Sequence, residues 1–359
     1  MKSDGHIVQF DYLRTFAIIS VVVCHVTESI YKLNLESMSE LDTTNQVCAL
    51  CFFTFGRLGV PVFLFLTGYL LLDRAYDDKT IVNFWKRNLL SLLATTEIWI
   101  VFYNLFLVTY NSKVLNWKLL VKELIFFERV PLGHMWYMPM IIGIYLFVPF
   151  IANALKGFSL KNVLKPYFFS VFCLMILPCL SILRLAGKHS IMKSILSLDF
   201  SGGVYGLILL AGYIYKKSDC LKNVSNMVLI FLMSTFYLST VGLQLYCYAK
   251  GFAYNVWYNN FLLIVCSFSI FIFINKMKFN VGDVPTYYTF VKYVARYSFG
   301  IYLVHYPIIL VLKEFIGIKV ASCVTITILS LLSFVLSFVF VHLFSKIKRI
   351  GKLMFYIKD

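Results

Sequence analysis

The chain has 359 residues, of which 60% are hydrophobic and 14% charged, and its formal net charge is +16. A soluble globular domain carries about 25% charged residues, so this composition excludes one. It points to a polytopic membrane protein whose long, continuous apolar runs cross the bilayer as helices. The basic residues are spread over loops and form no single patch, which excludes nucleic-acid binding.

Ten segments approach the ~20 residues that a crossing needs. They lie at 10–27, 50–72, 89–110, 135–154, 166–184, 202–216, 225–245, 257–275, 294–312 and 321–344. The sixth is short and opens on Gly202-Gly203. With a cytoplasmic N-terminus, the inside loops and tail hold 20 Lys and Arg and the outside loops 11, while Arg14 and Arg57 remain within spans. That asymmetry puts both termini inside. Asp11 and Arg14 interrupt the first apolar run and no small-residue cleavage site follows, so the N-terminus does not read as a cleavable signal peptide. No internal repeat is visible. The expected fold is all-α, a polytopic membrane helical bundle of about ten transmembrane helices, forming a single domain over 1–359.

The first segment, FDYLRTFAIISVVVCHV, holds Arg14 and His25. An ionisable side chain inside a span is costly and is a functional hypothesis by default. Eleven positions at 100° per residue bring both within about 20° of one helix face, roughly 16 Å apart along the axis. Arg14 lies toward the cytoplasmic side and His25 toward the outer half. Asp11 at i−3 and Glu28 at i+3 stand on the same side of the helix as their basic partners. Imidazole is the side chain whose ordinary pKa allows proton exchange near neutrality, and a neighbouring Glu28 would hold it in one tautomer. The plainer reading is a buried histidine with satisfied hydrogen bonds.

The following loop, with Glu28, Glu36, Glu40 and Asp42 against Lys32, reads as an acidic solvated linker. In FGRLGVPVFLFLTGYLLL, Gly56, Gly59, Pro61 and Gly68 favour close helix approach and a bend. Arg57 heads that run, either as a site cation or as a side chain that snorkels; Thr67 and Tyr69 supply hydroxyls. Lys86 and Arg87 flank the inner end of the third span. They suit the phosphates of a cytoplasmic ligand, or serve as stop-transfer charges. Glu97 is an acid inside that span, with Arg14 and Arg57 as candidate partners. Residues 111–134 alternate apolar and charged positions at helical spacing, as an amphipathic helix on the outer surface would.

GHMWYMPMIIGIYLFVPF places His134, Trp136 and Tyr137 at the outer mouth of the fourth span. They read as an aromatic belt or as a substrate mouth, since aromatic rings stack on sugars. YSFGIYLVHYP brings a second intramembrane imidazole, His305, with the Tyr302 hydroxyl one turn before it; a core histidine bonded to a carbonyl is the alternative. The tail KIKRIGKLMFYIK reads as a basic amphipathic piece on the inner leaflet, most simply a topological anchor. The nine cysteines include no CxxC, and Cys48 and Cys51 read as small apolar residues. No metal site is expected.

Taken in order, Arg14-x10-His25, GVPVFLFLTGYLL, HMWYMPMIIGIYLFVPF and SFGIYLVH resemble the acyltransferase-3 family of bacterial integral-membrane acyltransferases, and within it the surface-polysaccharide O-acyltransferase branch. The resemblance covers nearly the whole chain. It implies transfer of an acyl group, most often acetyl from cytoplasmic acetyl-CoA, onto a glycan or lipid-linked sugar in the bacterial cell membrane. The family's essential first-span Arg and His fall on Arg14 and His25. Many members carry Arg-x-x-Arg at the start of the third span; here Leu90 follows Arg87 at the second position, which shifts the donor contact to Lys86 and Arg87 together. Thr67 stands where many members have Ser.

The resulting expectation makes His25 the base for the acceptor hydroxyl, or the transient carrier of the acyl group, with Arg14 steadying the donor. Glu28, Arg57, His134, Trp136, Tyr137, Tyr302 and His305 serve the substrates, and Lys86 and Arg87 the acyl-CoA. A flippase or transporter for a lipid-linked sugar or small solute also suits intramembrane Arg, His and Glu. A membrane sensor would tolerate changes at His25 and Arg14. The acceptor, the acyl group, the side of transfer and the oligomeric state are left open.

Overall fold

The computed structural model describes residues 7–112, 114–130, 132–185, 203–277, 288–317 and 321–357. Lys2 and Gly202, used above for sidedness and for the sixth span, lie outside them. The described residues form helices and no strands. Besides two five-residue helices, Leu35–Ser39 and Asp219–Asn223, they are α1 (Val8–Tyr31), α2 (Thr43–Leu71), α3 (Asp78–Asn111), α4 (Trp117–Leu124), α5 (Gly133–Lys156), α6 (Leu160–Leu183), α7 (Gly203–Lys217), α8 (Asn226–Ala249), α9 (Phe261–Lys276), α10 (Tyr288–Ile316), α11 (Cys323–Ser345) and α12 (Lys348–Phe355). Eight of these are long and apolar enough to cross a membrane. Helices α7 and α9, of 15 and 16 residues, fall short of the ~20 that a full crossing takes.

Local chemistry starts and interrupts these helices where expected. Asp42, Ser225, Asn260 and Ser322 cap α2, α8, α9 and α11 by accepting the backbone N–H three residues on, which satisfies one of the orphan donors of a helix start. Helix α2 is interrupted at Leu58, just ahead of Gly59 and Pro61. Single π turns sit at Trp85–Leu89 in α3 and Phe172–Ile176 in α6.

Helix α1 is the hub. It packs against α2, α9, α10 and α11, with Leu13, Ala17, Ile18 and Val26 wholly buried. Gly56 and Gly59 make the α1–α2 contact possible, because a Cβ at either would overlap the backbone of Cys24 or Ala17. The α2–α7 crossing depends on Gly68 and Gly212 in the same way, each lying against the other helix's backbone at Leu209 and Phe65. Helix α6 is peripheral, with 11% of its apolar window buried.

Two features differ from the sequence reading. Cys48 is joined to Cys323 by a disulfide with Cα atoms 5.9 Å apart, tying the start of α2 to the start of α11, while Cys51 is a free thiol. The basic tail does not simply lie on a leaflet: α12 docks on the bundle. Phe355 is buried, and the Met354 and Leu353 carbonyls accept hydrogen bonds from Trp99 Nε1 (2.6 Å) and Thr95 Oγ1 (2.8 Å). The last four carbonyls of a helix need partners, and two side chains of α3 satisfy two of them.

Candidate active site

Three imidazoles meet in the middle of the bundle. His25 comes from α1, His134 from the short turn that opens α5, and His305 from α10. Ring centroids are 5.3 Å apart for His25–His305, 5.3 Å for His134–His305 and 5.9 Å for His25–His134. His134 is 1% exposed and His305 0%. Tyr306 stacks on His134 at 4.8 Å, and Tyr302 donates from its hydroxyl to the His134 carbonyl at 2.7 Å.

The partners assign the tautomers. His305 Nδ1 lies 3.2 Å from the Ile301 carbonyl, which only accepts, so Nδ1 carries the proton and Nε2 presents a lone pair. Tyr103 donates its hydroxyl to the Leu303 carbonyl, so the 3.3 Å contact between Tyr103 Oη and His134 Nε2 has the histidine as donor. His134 Nδ1 is then the lone pair. These two nitrogens, His305 Nε2 and His134 Nδ1, are buried and have no hydrogen-bond partner among the described residues. His25 Nδ1 donates to Glu28 Oε2 at 2.9 Å, which leaves the lone pair on Nε2. A buried polar atom left without a partner costs free energy, and such costs are retained where a substrate or water supplies the missing bond.

Glu28 is itself held. Its other oxygen accepts from Arg57 Nη2 at 2.8 Å, and Arg57 lies 4.3 Å from the Trp257 ring centroid and 4.7 Å from that of Phe53. Arg57 is buried and does not snorkel. Its aromatic cage is built by the loop between α8 and α9. Gln244 donates to Thr54 Oγ1 at 2.8 Å and accepts from Val256 N–H at 3.1 Å, while Asn255 and Tyr248 both donate to the Leu33 carbonyl. That bracing seats Trp257 and Tyr258 over the guanidinium. Cys24 Sγ and ligand-type atoms of His25 and Glu28 lie within 4.8 Å of one another. A metal there would share Glu28 with the Arg57 guanidinium, whose like charge opposes it.

Arg14 stands at the other level of α1, as the helical spacing requires. It lies 3.6 Å from Asp11 and lines a cavity of about 660 Å³ at the bundle end that holds the start of α1. Arg74, Lys292 and Arg296 line the same cavity with Thr67 and Tyr145, and Asp11 is the acid among them. A small pocket of about 60 Å³ adjoins it. The two share Phe63, Tyr137, Ser298 and Phe299, and the small one is also lined by Val21, Val60 and Tyr302, whose ring centroid lies 5.5 Å from that of His134 and 6.0 Å from that of His305. Toward the opposite end, a cleft of about 590 Å³ lies between Trp136 and Trp257 on one side and the 126–130 loop on the other.

Arg14, Glu28, Arg57, His134, Trp136, Tyr137, Tyr302 and His305 thus all line the cavities or the cluster between them. Lys86 and Arg87 do not. Both are exposed on the π turn of α3 and are absent from the cavity wall. Arg14 and Arg57 pair with Asp11 and Glu28, so neither serves Glu97. Sequence reasoning missed Tyr103 and Tyr306, the Trp257–Tyr258 lid, and the cations Arg74, Lys292 and Arg296. Their signal was present only as ordinary interfacial aromatics and loop charges.

The model of an acyltransferase domain family, acyltransferase-3, matches residues 7–342. The chain belongs to the acyltransferase-3 family. It is a membrane acyltransferase. Among curated proteins and solved structures, none matches the chain.

Proposed function

We propose that this acyltransferase moves an acetyl group from cytoplasmic acetyl-CoA to a hydroxyl of a cell-surface polysaccharide or its lipid-linked precursor. It would sit in the bacterial cytoplasmic membrane with about ten crossings, α7 and α9 included, and with both termini cytoplasmic.

The observation that carries this reading is the succession of cationic cavity, narrow throat and histidine cluster. Four cations against Asp11 suit a ligand with several anionic groups. A throat of about 60 Å³ suits a slender uncharged arm. Coenzyme A has that form, with phosphates at one end and a thioester at the end of a flexible chain. In this reading Arg14, Arg74, Lys292 and Arg296 hold the donor phosphates, and Lys86 and Arg87 flank the membrane. The cleft between Trp136 and Trp257 takes the acceptor from the other face, with sugar rings against the indoles.

His25 Nε2 takes the proton of the acceptor hydroxyl as its oxygen attacks the thioester carbonyl. The C–S bond breaks, and the imidazolium returns the proton to the departing thiolate. Glu28, fixed by Arg57, keeps His25 Nδ1 protonated and stabilises the transient imidazolium. His134 Nδ1 and His305 Nε2 accept hydrogen bonds from neighbouring hydroxyls of the acceptor.

The test is the O-acetyl content of surface glycans from a strain lacking the gene, the same strain complemented, and one complemented with His25→Ala at equal expression. Restoration by wild type alone is expected. Unchanged acetylation with accumulation of lipid-linked precursors on the inner face would replace this reading with a flippase.

A further inference from the structure

Helix α4 has a face that acyl transfer does not use. Asn116 caps it, accepting from Leu119 N–H at 3.1 Å. Leu120 and Glu123 turn inward, and the Glu123 carboxylate accepts from Asn104 Nδ2 of α3 at 2.6 Å, which pins the helix to the bundle. At 100° per residue, Trp117 and Val121 lie about 40° apart on the exposed side of α4, and Ile125 follows at its C-cap. They are 68%, 56% and 67% exposed. Lys118 and Lys122 border this apolar group on its far side, both exposed, with Lys122 3.6 Å from Glu128.

Eight residues cannot span a bilayer, and α4 connects the end of α3 to the start of α5. It therefore lies at the level where those two helices leave the membrane. An apolar stripe bordered by lysines at that level is the pattern of a helix lying in a bilayer interface. The chain leaving α4 runs directly into the cleft wall at Phe127, Glu128 and Arg129.

We infer that α4 is a membrane-interface ledge. Trp117, Val121 and Ile125 enter the acyl boundary of the outer leaflet, and Lys118 and Lys122 meet anionic headgroups. The ledge holds the mouth of the Trp136–Trp257 cleft in the headgroup plane, so the acceptor that fits it is a saccharide carried on a lipid anchor. The leaflet and the use of the cleft rest on the function proposed above; the contact between α4 and lipid does not.

The test uses full-length protein in nanodiscs whose phosphatidylcholine carries bromine either high or deep in the acyl chain. The fluorescence difference between wild type and Trp117→Phe isolates Trp117 from the other tryptophans. Quenching of that difference, stronger with shallow than with deep bromine, is expected. No quenching by either lipid places α4 in water and overturns the ledge. A second arm adds phosphatidylglycerol and compares wild type with Lys118→Glu/Lys122→Glu. Acyl transfer to a lipid-anchored saccharide should fall several-fold in the variant while transfer to the same saccharide in soluble form holds. Equal rates on both acceptors would overturn the lipid-anchored acceptor. Absence of transfer to either acceptor by wild type would count against the enzymatic reading and leave the quenching result standing.

Discussion

Arg57 grips Glu28 through a 2.8 Å ion pair, and the other oxygen of that carboxylate orients His25 at 2.9 Å. The chain of three residues couples α2 to the last third of α1 and gives Arg57 a positioning role ahead of any contact with substrate. His25→Ala should lower kcat by about 10²–10⁴-fold, the contribution of a positioned general base. Glu28→Gln and Arg57→Ala should each lower kcat by less, with the donor KM nearly unchanged. Arg57→Lys should fall between wild type and Arg57→Ala, because a point charge keeps the attraction but loses the planar stack on Trp257. Steady-state kinetics in detergent or nanodiscs checks this ordering. A Glu28→Gln enzyme with wild-type kcat would remove Glu28 from the account.

In the proposed reading, the cavity lined by Arg14 parts the donor contacts from the flanking charges. Loss of a hydrogen bond to a charged group costs about 1.5–3 kcal/mol, so Arg74→Ala, Lys292→Ala and Arg296→Ala should each raise the KM for acetyl-CoA by roughly 10–100-fold. Lys86→Ala and Arg87→Ala should leave it within two-fold or so. The opposite pattern in donor titrations would return the phosphate contact to α3.

The Cys48–Cys323 bond closes a loop with a sequence separation of 275. Disulfides persist in oxidising compartments, which agrees with an outward orientation for the starts of α2 and α11. Removing it with Cys48→Ser or Cys323→Ser should cost about 2–4 kcal/mol, read as a lower thermal midpoint with either substitution, and the double variant should match the single ones. Peptide mapping of unreduced protein from cells checks the bond itself; two free thiols at these positions would contradict it.

Asp73, in the α2–α3 connection, lies 2.6 Å from Lys217 and 3.2 Å from Lys216. Burial works against its charge, but the lysine hydrogen bonds win and hold its carboxyl below the usual range. A depressed folded-state pKa stabilises above the unfolded value of about 3.9 and loses that stability as pH falls through the folded value. Asp73→Asn should therefore lower the thermal midpoint modestly at neutral pH, by about 1 kcal/mol or less for a partly exposed pair. The difference from wild type should shrink as pH falls below the ordinary carboxylate pKa and vanish only below the depressed folded-state value. A difference that persists at that acidity would assign the effect to packing.

The residues legible in sequence were those whose chemistry clashes with an apolar helix. Arg14, His25, His134 and His305 stood out because each is costly where it sits. The offset of Arg14 and His25 along α1 followed from helical periodicity, and Asp11 and Glu28 were placed correctly by their i−3 and i+3 spacing. Arg74, Lys292 and Arg296 look like topological loop charges until α2 and α10 are packed around α1. Trp257 and Tyr258 look like interface aromatics until Gln244 and Asn255 fold their loop over Arg57. Cys48 gives no sign of Cys323, because pairing at long separation is a property of the packed bundle. Eight of the expected spans are helices long and apolar enough to cross a membrane; α7 is as short as its run suggested, and α9 is shorter than the 257–275 run.

The most direct measurement uses wild type and His25→Ala reconstituted in sealed vesicles, with acetyl-labelled acetyl-CoA supplied only to the face bearing Arg14. The acceptor glycan is offered on the opposite face. The account predicts labelled glycan with wild type, retention of donor binding in His25→Ala, and loss of at least 99% of transfer, consistent with a base worth about 10²-fold or more. Equal labelling by both proteins would contradict it.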